Sequence, residues 1–508
     1  MSANPKGGSQ EPPLGSSTHN ARATITAVSL REIFDRQKSE FSRCAPLRLE
    51  KRLEALSHLL QSIVNHQDEL IEAVSADFGY RAVTETRILE LFPLIDEIRF
   101  LKRHLRRWMR PRRVAANWQF LPSRAQVLYQ PLGIVGVIGA WNYPILLTLS
   151  PLANALAAGN HVIVKPSEHA PKTADVLRRI ISTAFPEEYV AVVIGGKEVA
   201  SALCTLPLDH ILFTGSSAVG KLVMRSAAEN LTPVTLELGG KSPALVHESY
   251  PMTTAADRIC SAKFWNAGQT CVAPDYALVP DRKRDEFLSS CEEAVARRYS
   301  TSSSNCDYTH MIGKSAWDRM QQLVDDAKSK GARVIQASPI DRDLTSASRA
   351  FPPTWIVDAD DSMRVMQEEI FGPILPVVTY SSFADALSFI NARPRPLALY
   401  YFDTNRSRTR NVLEQTTSGG ACINDCIFQF VQHRLPFGGV GPSGMGAYHG
   451  FDGFTAFSKK KGVFLPSRLV GSVLDKFFKP PYGPRTDRVI GLLMGRNTTR
   501  PIRKITLP

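Results

Sequence analysis

The feature that most constrains this chain is a rhythm. Short apolar runs alternate with longer stretches of helical spacing. AQVLYQ at 125–130 and GIVGVIG at 133–139 read as strands. HVIVK at 161–165, AVVIGG at 191–196, HILFTG at 210–215 and PVTLEL at 233–238 continue the pattern. The intervening segments, such as 171–185, are about 10 to 20 residues long and carry helical periodicity. Strand, helix, strand at this spacing specifies a parallel, doubly wound sheet. The alternation resumes after Ser242, through YALV at 276, ILPVV at 374 and LALYYF at 397. Two α/β lobes are therefore expected, which suits 508 residues, more than one core usually supports.

Ahead of the first lobe the pattern is helical. Leu49, Leu53, Leu56, Leu60 and Ile63 make one stripe. A second helix is expected over 88–109, with Ile98, Leu101, Leu105 and Trp108 on one side. Arg99, Lys102, Arg103, Arg106, Arg107 and Arg110 fill the rest. With 61 Lys+Arg against 48 Asp+Glu the net charge is +13, which permits an acidic partner without demanding one. A solvated helix face is preferred here over a nucleic-acid surface. Residues 1–24, rich in Gly, Pro and Ser, read as a disordered arm. The basic tail 471–508 contains a short apolar piece, 489–494, too short to span a bilayer. No apolar run is long enough for an integral membrane segment, and the arm lacks the apolar core of a secretory signal. The eight cysteines are scattered without a CxxC pair, so a reducing, cytoplasmic setting with free thiols is expected. Cys422 and Cys426 with His433 beyond lack the four well-spaced ligands of a metal site, so no metal is expected.

Several segments could carry chemistry. Phe213 through Leu222 (FTGSSAVGKL) is a strand-to-helix turn whose backbone N–H groups and helix dipole suit a phosphate. It misses a P-loop because Leu222 stands where Ser or Thr would hold magnesium, and a strict GxGxxG is absent. A second near-match ending Gly240-Lys241-Ser242 fails at Thr235, so an NTPase is disfavoured. Lys165-Pro166-Ser167-Glu168 ends a strand, where an acid can accept from a ribose and a lysine can donate. Glu237 lies in an apolar run before Gly239 and Gly240. Desolvation there would raise it toward a general base, unless it points outward. Asn142, in Trp141-Asn142-Tyr143-Pro144, can donate to a developing oxyanion or simply shape a turn. Gly268 permits a tight turn that would leave Cys271 on irregular backbone, either as a reactive thiol or as inert core. Glu369 precedes Phe371 by two residues, an acid for hydroxyls beside a ring for a flat heterocycle, or a loop acid beside a core aromatic.

Taken together, Trp141 to Pro144, Lys165 to Glu168, Phe213 to Ser216, Leu236 to Lys241, Gly268 to Cys271 and Glu369 to Pro373 resemble the aldehyde dehydrogenase superfamily. Leu435 to Gly441 (LPFGGVG) through Tyr448-His449-Gly450 is similar to its class 3 branch. Asn266 to Tyr276 (NAGQTCVAPDY), Ala76 to Gly79 (ADFG) and Arg395 to Tyr401 (RPLALYY) resemble bacterial coniferyl aldehyde dehydrogenases. The resemblance runs roughly from Phe41 to Lys461. It implies an NAD(P)-binding, Rossmann-like domain over 25–111 and 133–236, a catalytic α/β domain over 237–419, and a bridging segment over 112–132 and 420–470 used to dimerise. It implies Cys271 as nucleophile, Glu237 as the base for hydrolytic water, and Asn142 with the Cys271 N–H as oxyanion donors. Lys165 and Glu168 fall at the adenosine ribose region, Gly215 and Ser216 near the pyrophosphate, and Glu369 and Phe371 at the nicotinamide riboside, with Ser167 and Val219 as further cofactor-binding residues. The cofactor is NAD, with NADP open. The partners expected are a small-molecule aldehyde and a second copy of the chain, without nucleic acid. Gln429 departs from the pattern, where relatives usually carry His after the Asn424-Asp425 pair.

The reading that follows is oxidation of a bulky aromatic or apolar aldehyde to the acid by an ionised Cys271, through a thiohemiacetal and a thioester. A coniferaldehyde-like substrate is favoured over a long-chain aliphatic one. Tyr143, Phe264, Trp265, Phe428 and Phe430 are candidates for the entrance, or for core. Two other classes stay open: a nicotinamide-independent thiol hydrolase or acyltransferase, and a basic binding protein that uses the Arg-rich helix and the tail.

Overall fold

The computed structural model describes residues 27–44, 46–299, 307–337 and 349–495. The arm at 1–24 and the last part of the tail lie outside them. Three sheets organise the chain. The first has six strands, ordered Gly444–Met445, Val234–Glu237, His210–Thr214, Ile134–Ile138, His161–Lys165, Val190–Val192. Five are parallel, and Gly444–Met445 runs antiparallel beside Val234–Glu237. Side chains alternate across this sheet. Val135, Val137, Val162, Val164 and Leu212 face one core, whereas Ile134, Ile138, Ile163, Ile211 and Phe213 face another. Because successive side chains point to opposite faces, apolar residues at every position require helices on both sides. The chain leaves Ile134–Ile138 toward His161–Lys165 on one flank and returns to His210–Thr214 on the other. That reversal opens a crevice beyond the carboxyl ends of the strands, where ligands bind in such sheets.

The second sheet has seven strands, ordered Arg333–Gln336, Thr354–Val357, Ile374–Tyr380, Tyr276–Pro280, Pro243–Val246, Ala398–Phe402, Gly420–Ile423. All neighbours are parallel except the edge strand Arg333–Gln336. The third is an antiparallel ribbon of Arg112–Val114, Arg124–Pro131 and Ser458–Leu465. AQVLYQ is thus a strand, but of this ribbon and not of the parallel sheet. The 420–470 stretch is divided among all three sheets, with Gly420–Ile423 in the seven-stranded one.

Two helices support the site. Leu146–Ala158 is mostly apolar and wholly buried, its Thr148, Ser150 and Asn154 included. It packs against Phe92–Trp108, which buries Ile98, Leu101, Leu105 and Trp108 and exposes Arg99, Arg103, Arg106 and Arg107. The basic run is therefore the outer face of a packed helix. It begins at Phe92, later than expected, because Arg87–Leu91 forms a π-helical turn. In the tail, Arg468–Phe477 and Pro484–Leu493 are helical, and the latter buries no residue. No helix among the described residues is long and apolar enough to cross a membrane.

Candidate active site

A cavity of about 490 Å³ extends from the crevice of the six-stranded sheet toward the seven-stranded one. Cys271, Glu237, Asn142, Lys165, Ser167, Glu168, Gly215, Ser216, Val219, Glu369 and Phe371 all line it. Residues separated by more than two hundred positions in sequence thus share one wall.

Cys271 follows a sharply turned segment. Asn266, Ala267 and Gly268 have φ of 53°, 50° and 72°, three left-handed residues in a row. The first two pay the steric cost of a Cβ there. At Gly268 a Cβ would lie 2.2 Å from the Gly372 carbonyl oxygen, so only glycine fits. The turn is held by its amides. Asn266 Nδ2 donates to Gln269 O at 3.1 Å and Asn142 O at 2.9 Å, and Gln269 Nε2 donates to Asn266 O at 2.9 Å. Cys271 is partly exposed to the cavity. Even so, burial of its surroundings, then the charges of Glu369 and Glu237, push its thiol from 9.0 up to about 12. The protein groups around the sulfur thus favour the neutral thiol near pH 7. Hydrogen bonds from the Cys271 and Val272 backbone pull the other way but do not outweigh burial and the two acids.

Glu237 ends the strand Val234–Glu237 and is 3% exposed. Neither carboxyl oxygen has a partner among the described residues. Burial alone raises it well above the ordinary carboxylate value, the direction expected for a general base. Asn142 is equally buried, and its Nδ2 donates to Gln269 O at 3.1 Å. One amide hydrogen remains for the cavity. A thiol, an unpartnered carboxyl and a free amide N–H around one space can add to a carbonyl, hold its oxyanion and activate water.

The crevice end is polar. Lys165 Nζ donates to Glu168 Oε2 at 2.7 Å and to Pro166 O at 3.2 Å. Burial tends to raise Glu168, but the Lys165 hydrogen bond and charge outweigh it and hold the carboxylate low. Ser216 caps the helix Ser217–Ala228, accepting from Val219 N at 3.4 Å, so a helix N-terminus opens on the cavity. Glu369 touches Gly239, where a Cβ would lie 2.1 Å from Glu369 Oε2. Burial, then the Asp275 charge, raises Glu369 to about 8, against a hydrogen bond from the Gly240 backbone. Phe371 meets Trp141 edge-to-face at 5.4 Å. An exposed acid for a ribose, a dipole end for phosphate and an acid beside a ring fit a dinucleotide.

A sequence profile of the aldehyde dehydrogenase family matches residues 11–463. The chain belongs to the aldehyde dehydrogenase family. The match begins at residue 11, so it extends into the arm and ahead of Phe41. A probable coniferyl aldehyde dehydrogenase of Pseudomonas aeruginosa is 46% identical over 467 residues, 92% of this chain and 96% of that one. The coniferyl aldehyde dehydrogenase of Pseudomonas sp. strain HR199 is 40% identical over 473 residues, 93% and 98%. The solved substrate-bound Staphylococcus aureus AldH superposes with a TM-score of 0.83 at 34% identity, covering 89% of this chain and 99% of that one. A Mycobacterium tuberculosis aldehyde dehydrogenase complexed with NAD+ gives 0.79 at 27%, covering 87% and 91%. This aldehyde dehydrogenase is accordingly an oxidoreductase.

The aromatic candidates divide. Tyr143 and Phe430 line the cavity of this aldehyde dehydrogenase. Phe264 is core against Trp355, and Trp265 packs edge-on to the exposed Phe428. Gln429 does not line the cavity, although Ile427 and Phe430 on either side of it do. Its Nε2 reaches Tyr400 Oη at 3.3 Å, and that hydroxyl donates to Val272 O, so it braces the residue after Cys271. His433 pairs with Asp96 at 3.0 Å, and no three His, Cys, Asp or Glu side chains gather as a metal site among the described residues. Sequence reasoning missed Leu147, Phe437 and Tyr448 on the wall, and Arg319, whose Nη2 donates to Glu369 O at 2.6 Å. An isolated arginine in a helical stretch carries no signal of that reach.

Proposed function

We propose that this chain oxidises a bulky aromatic or apolar aldehyde, coniferaldehyde-like, to the free acid with NAD. The convergence of Cys271, Glu237 and Asn142 on one cavity that continues into the sheet crevice carries the reading. Bound dinucleotide supplies the hydride acceptor. Lys165, Ser167 and Glu168 would hold its adenosine ribose, Gly215, Ser216 and Val219 would take the pyrophosphate, and Glu369 and Phe371 would seat the nicotinamide riboside. Glu168 accepts from a ribose hydroxyl and repels a 2′-phosphate, which favours NAD over NADP.

Cys271 Sγ adds to the aldehyde carbon as its proton passes to the Glu237 carboxylate, which then gives it up to solvent. The Asn142 amide and the Cys271 N–H hold the oxyanion. With the nicotinamide in place as acceptor, the carbon held on Cys271 would lose hydride as its oxyanion re-forms a carbonyl, leaving a thioester. Glu237, unpartnered among the described residues, takes a proton from water; the hydroxide adds to the thioester carbon, the C–S bond breaks, the acid leaves and the proton returns to the Cys271 sulfur. Leu147, Phe430, Phe437 and Tyr448 give the substrate end an apolar wall, which suits an arene. The Pseudomonas relatives whose names carry coniferyl aldehyde support the same choice. We take the chain to be a cytoplasmic homodimer joined through its ribbon, whose strand Ser458–Leu465 leaves one edge unpaired among the described residues.

A burst experiment with coniferaldehyde and NAD tests the roles. Cys271→Ala gives no NADH. Glu237→Gln gives about one NADH per active site and then stalls, because the thioester forms and water is not activated. Steady wild-type turnover by either variant refutes its assignment.

A further inference from the structure

We propose that Arg81, buried behind the turn that carries Asn142, is a positioning residue that aims the Asn142 amide at the oxyanion. The proposal deepens the reading above and rests on it. The Arg81 side chain is 0% exposed. Its Nη1 donates to Glu90 Oε1 at 2.8 Å and to the Asn142 carbonyl oxygen at 3.3 Å. Its Nε lies 3.6 Å from Glu85 Oε1. Its guanidinium carbon sits 5.0 Å from the ring centre of Tyr143, the residue after Asn142.

Both carboxylates pass the restraint on. Glu85 Oε1 accepts from Asn266 N at 2.9 Å, inside the left-handed turn before Cys271, and from Thr309 Oγ1 at 2.7 Å. Glu90 Oε2 accepts from Ile145 N at 2.8 Å and Leu146 N at 3.1 Å, where the buried helix Leu146–Ala158 starts. One cation thus ties the Asn142 turn, the helix after it and the turn before Cys271. Burial raises both Glu85 and Glu90, and Arg81 is the first opposing influence on each.

Stability alone does not account for such a cluster, since well-packed apolar residues commonly replace buried ion pairs without loss. What apolar residues would not do is orient a peptide. The Asn142 carbonyl is held by Arg81 and by Asn266 Nδ2, so its peptide plane cannot rotate. One hydrogen of its side-chain amide is committed to Gln269 O. The second hydrogen therefore has one direction, into the cavity. A shift of about 1 Å in such a donor costs on the order of a hundredfold in rate.

The test uses the full chain with NAD and coniferaldehyde. Arg81→Lys keeps the buried charge, but one ammonium cannot reproduce the guanidinium geometry toward Glu90 and Asn142 O. Arg81→Gln with Glu85→Gln removes a cation and an anion together; if this double variant is insoluble, Arg81→Lys decides. The expected result is a burst rate constant per titrated active site lowered about 10- to 100-fold, with aldehyde KM little changed. Iodoacetamide alkylation of Cys271, which develops no oxyanion, keeps its wild-type rate. A wild-type burst rate constant in a folded variant overturns the proposal. So does a reduced burst amplitude with an unchanged rate constant, which marks a role in folding alone. Absence of any NADH formation by the wild type would instead overturn the proposed function.

Discussion

The thiol of Cys271 makes a quantitative prediction. Its surroundings raise it from 9.0 to about 12. That is roughly a thousandfold less thiolate at a given pH below 9, about 4 kcal/mol at ~1.4 kcal/mol per tenfold. Only the thiolate attacks an alkylating reagent. In dinucleotide-free enzyme the rate of iodoacetamide labelling at Cys271 should therefore rise about tenfold per pH unit from pH 7 to 9.5, without levelling. A small thiol titrated alongside bends over near its own ordinary value. Timed quenching and mass spectrometry of the Cys271 peptide separate it from the exposed Cys44. Glu369, raised to about 8, takes on charge in the middle of this range, so Glu369→Gln should speed labelling mainly above pH 8. A plateau with a midpoint below pH 8 in the unsubstituted enzyme would refute the reasoning. It would mean that an unrecognised cation or donor outweighs desolvation.

Glu237→Gln should raise the melting temperature relative to wild type as pH rises. A carboxyl whose folded value is raised contributes fully below its unfolded value near 4.5, and that contribution is lost as pH climbs through the raised one, whereas Gln does not titrate. Scanning calorimetry between pH 4 and 9 checks the sign, and a gap that narrows with pH contradicts it. Gly268→Ala must place a Cβ at φ 72° and 2.2 Å from Gly372 O, which should cost about 2–4 kcal/mol in urea unfolding and most of the activity. A wild-type midpoint would disprove the strain. Glu168→Gln should raise the NADP to NAD ratio of kcat/KM by at least about tenfold, because a like charge facing a 2′-phosphate is removed. An unchanged ratio would relieve Glu168 of that role.

Much of the architecture was legible because parallel strands buried on both faces are written as unbroken apolar runs. HVIVK and HILFTG are strands as read, within a residue. Pro243–Val246, Thr354–Val357 and Gly420–Ile423 escaped notice because four residues carry too little periodicity. Gly444–Met445 is a strand only because Val234–Glu237 lies beside it. Glu237 and Lys165 end strands, Glu168, Gly215 and Ser216 follow them and Cys271 follows a glycine turn, placements that local pattern encodes, whereas Glu369 and Phe371 sit on a loop that only the fold brings to the cavity. Phe264 and Phe430 are alike in sequence, yet one is core and the other wall, and only packing separates them.

Residue identity by itself determined which groups could react: a thiol, a carboxyl and an amide after turns that favour exposure. Tertiary structure alone decided their protonation and aim. Desolvation depends on everything that surrounds an atom, so it left Cys271 a thiol. Arg81, Glu85 and Glu90 carry no signal in the sequence, and only the fold closes over them. Water then no longer competes for their hydrogen bonds, and their geometry becomes directional.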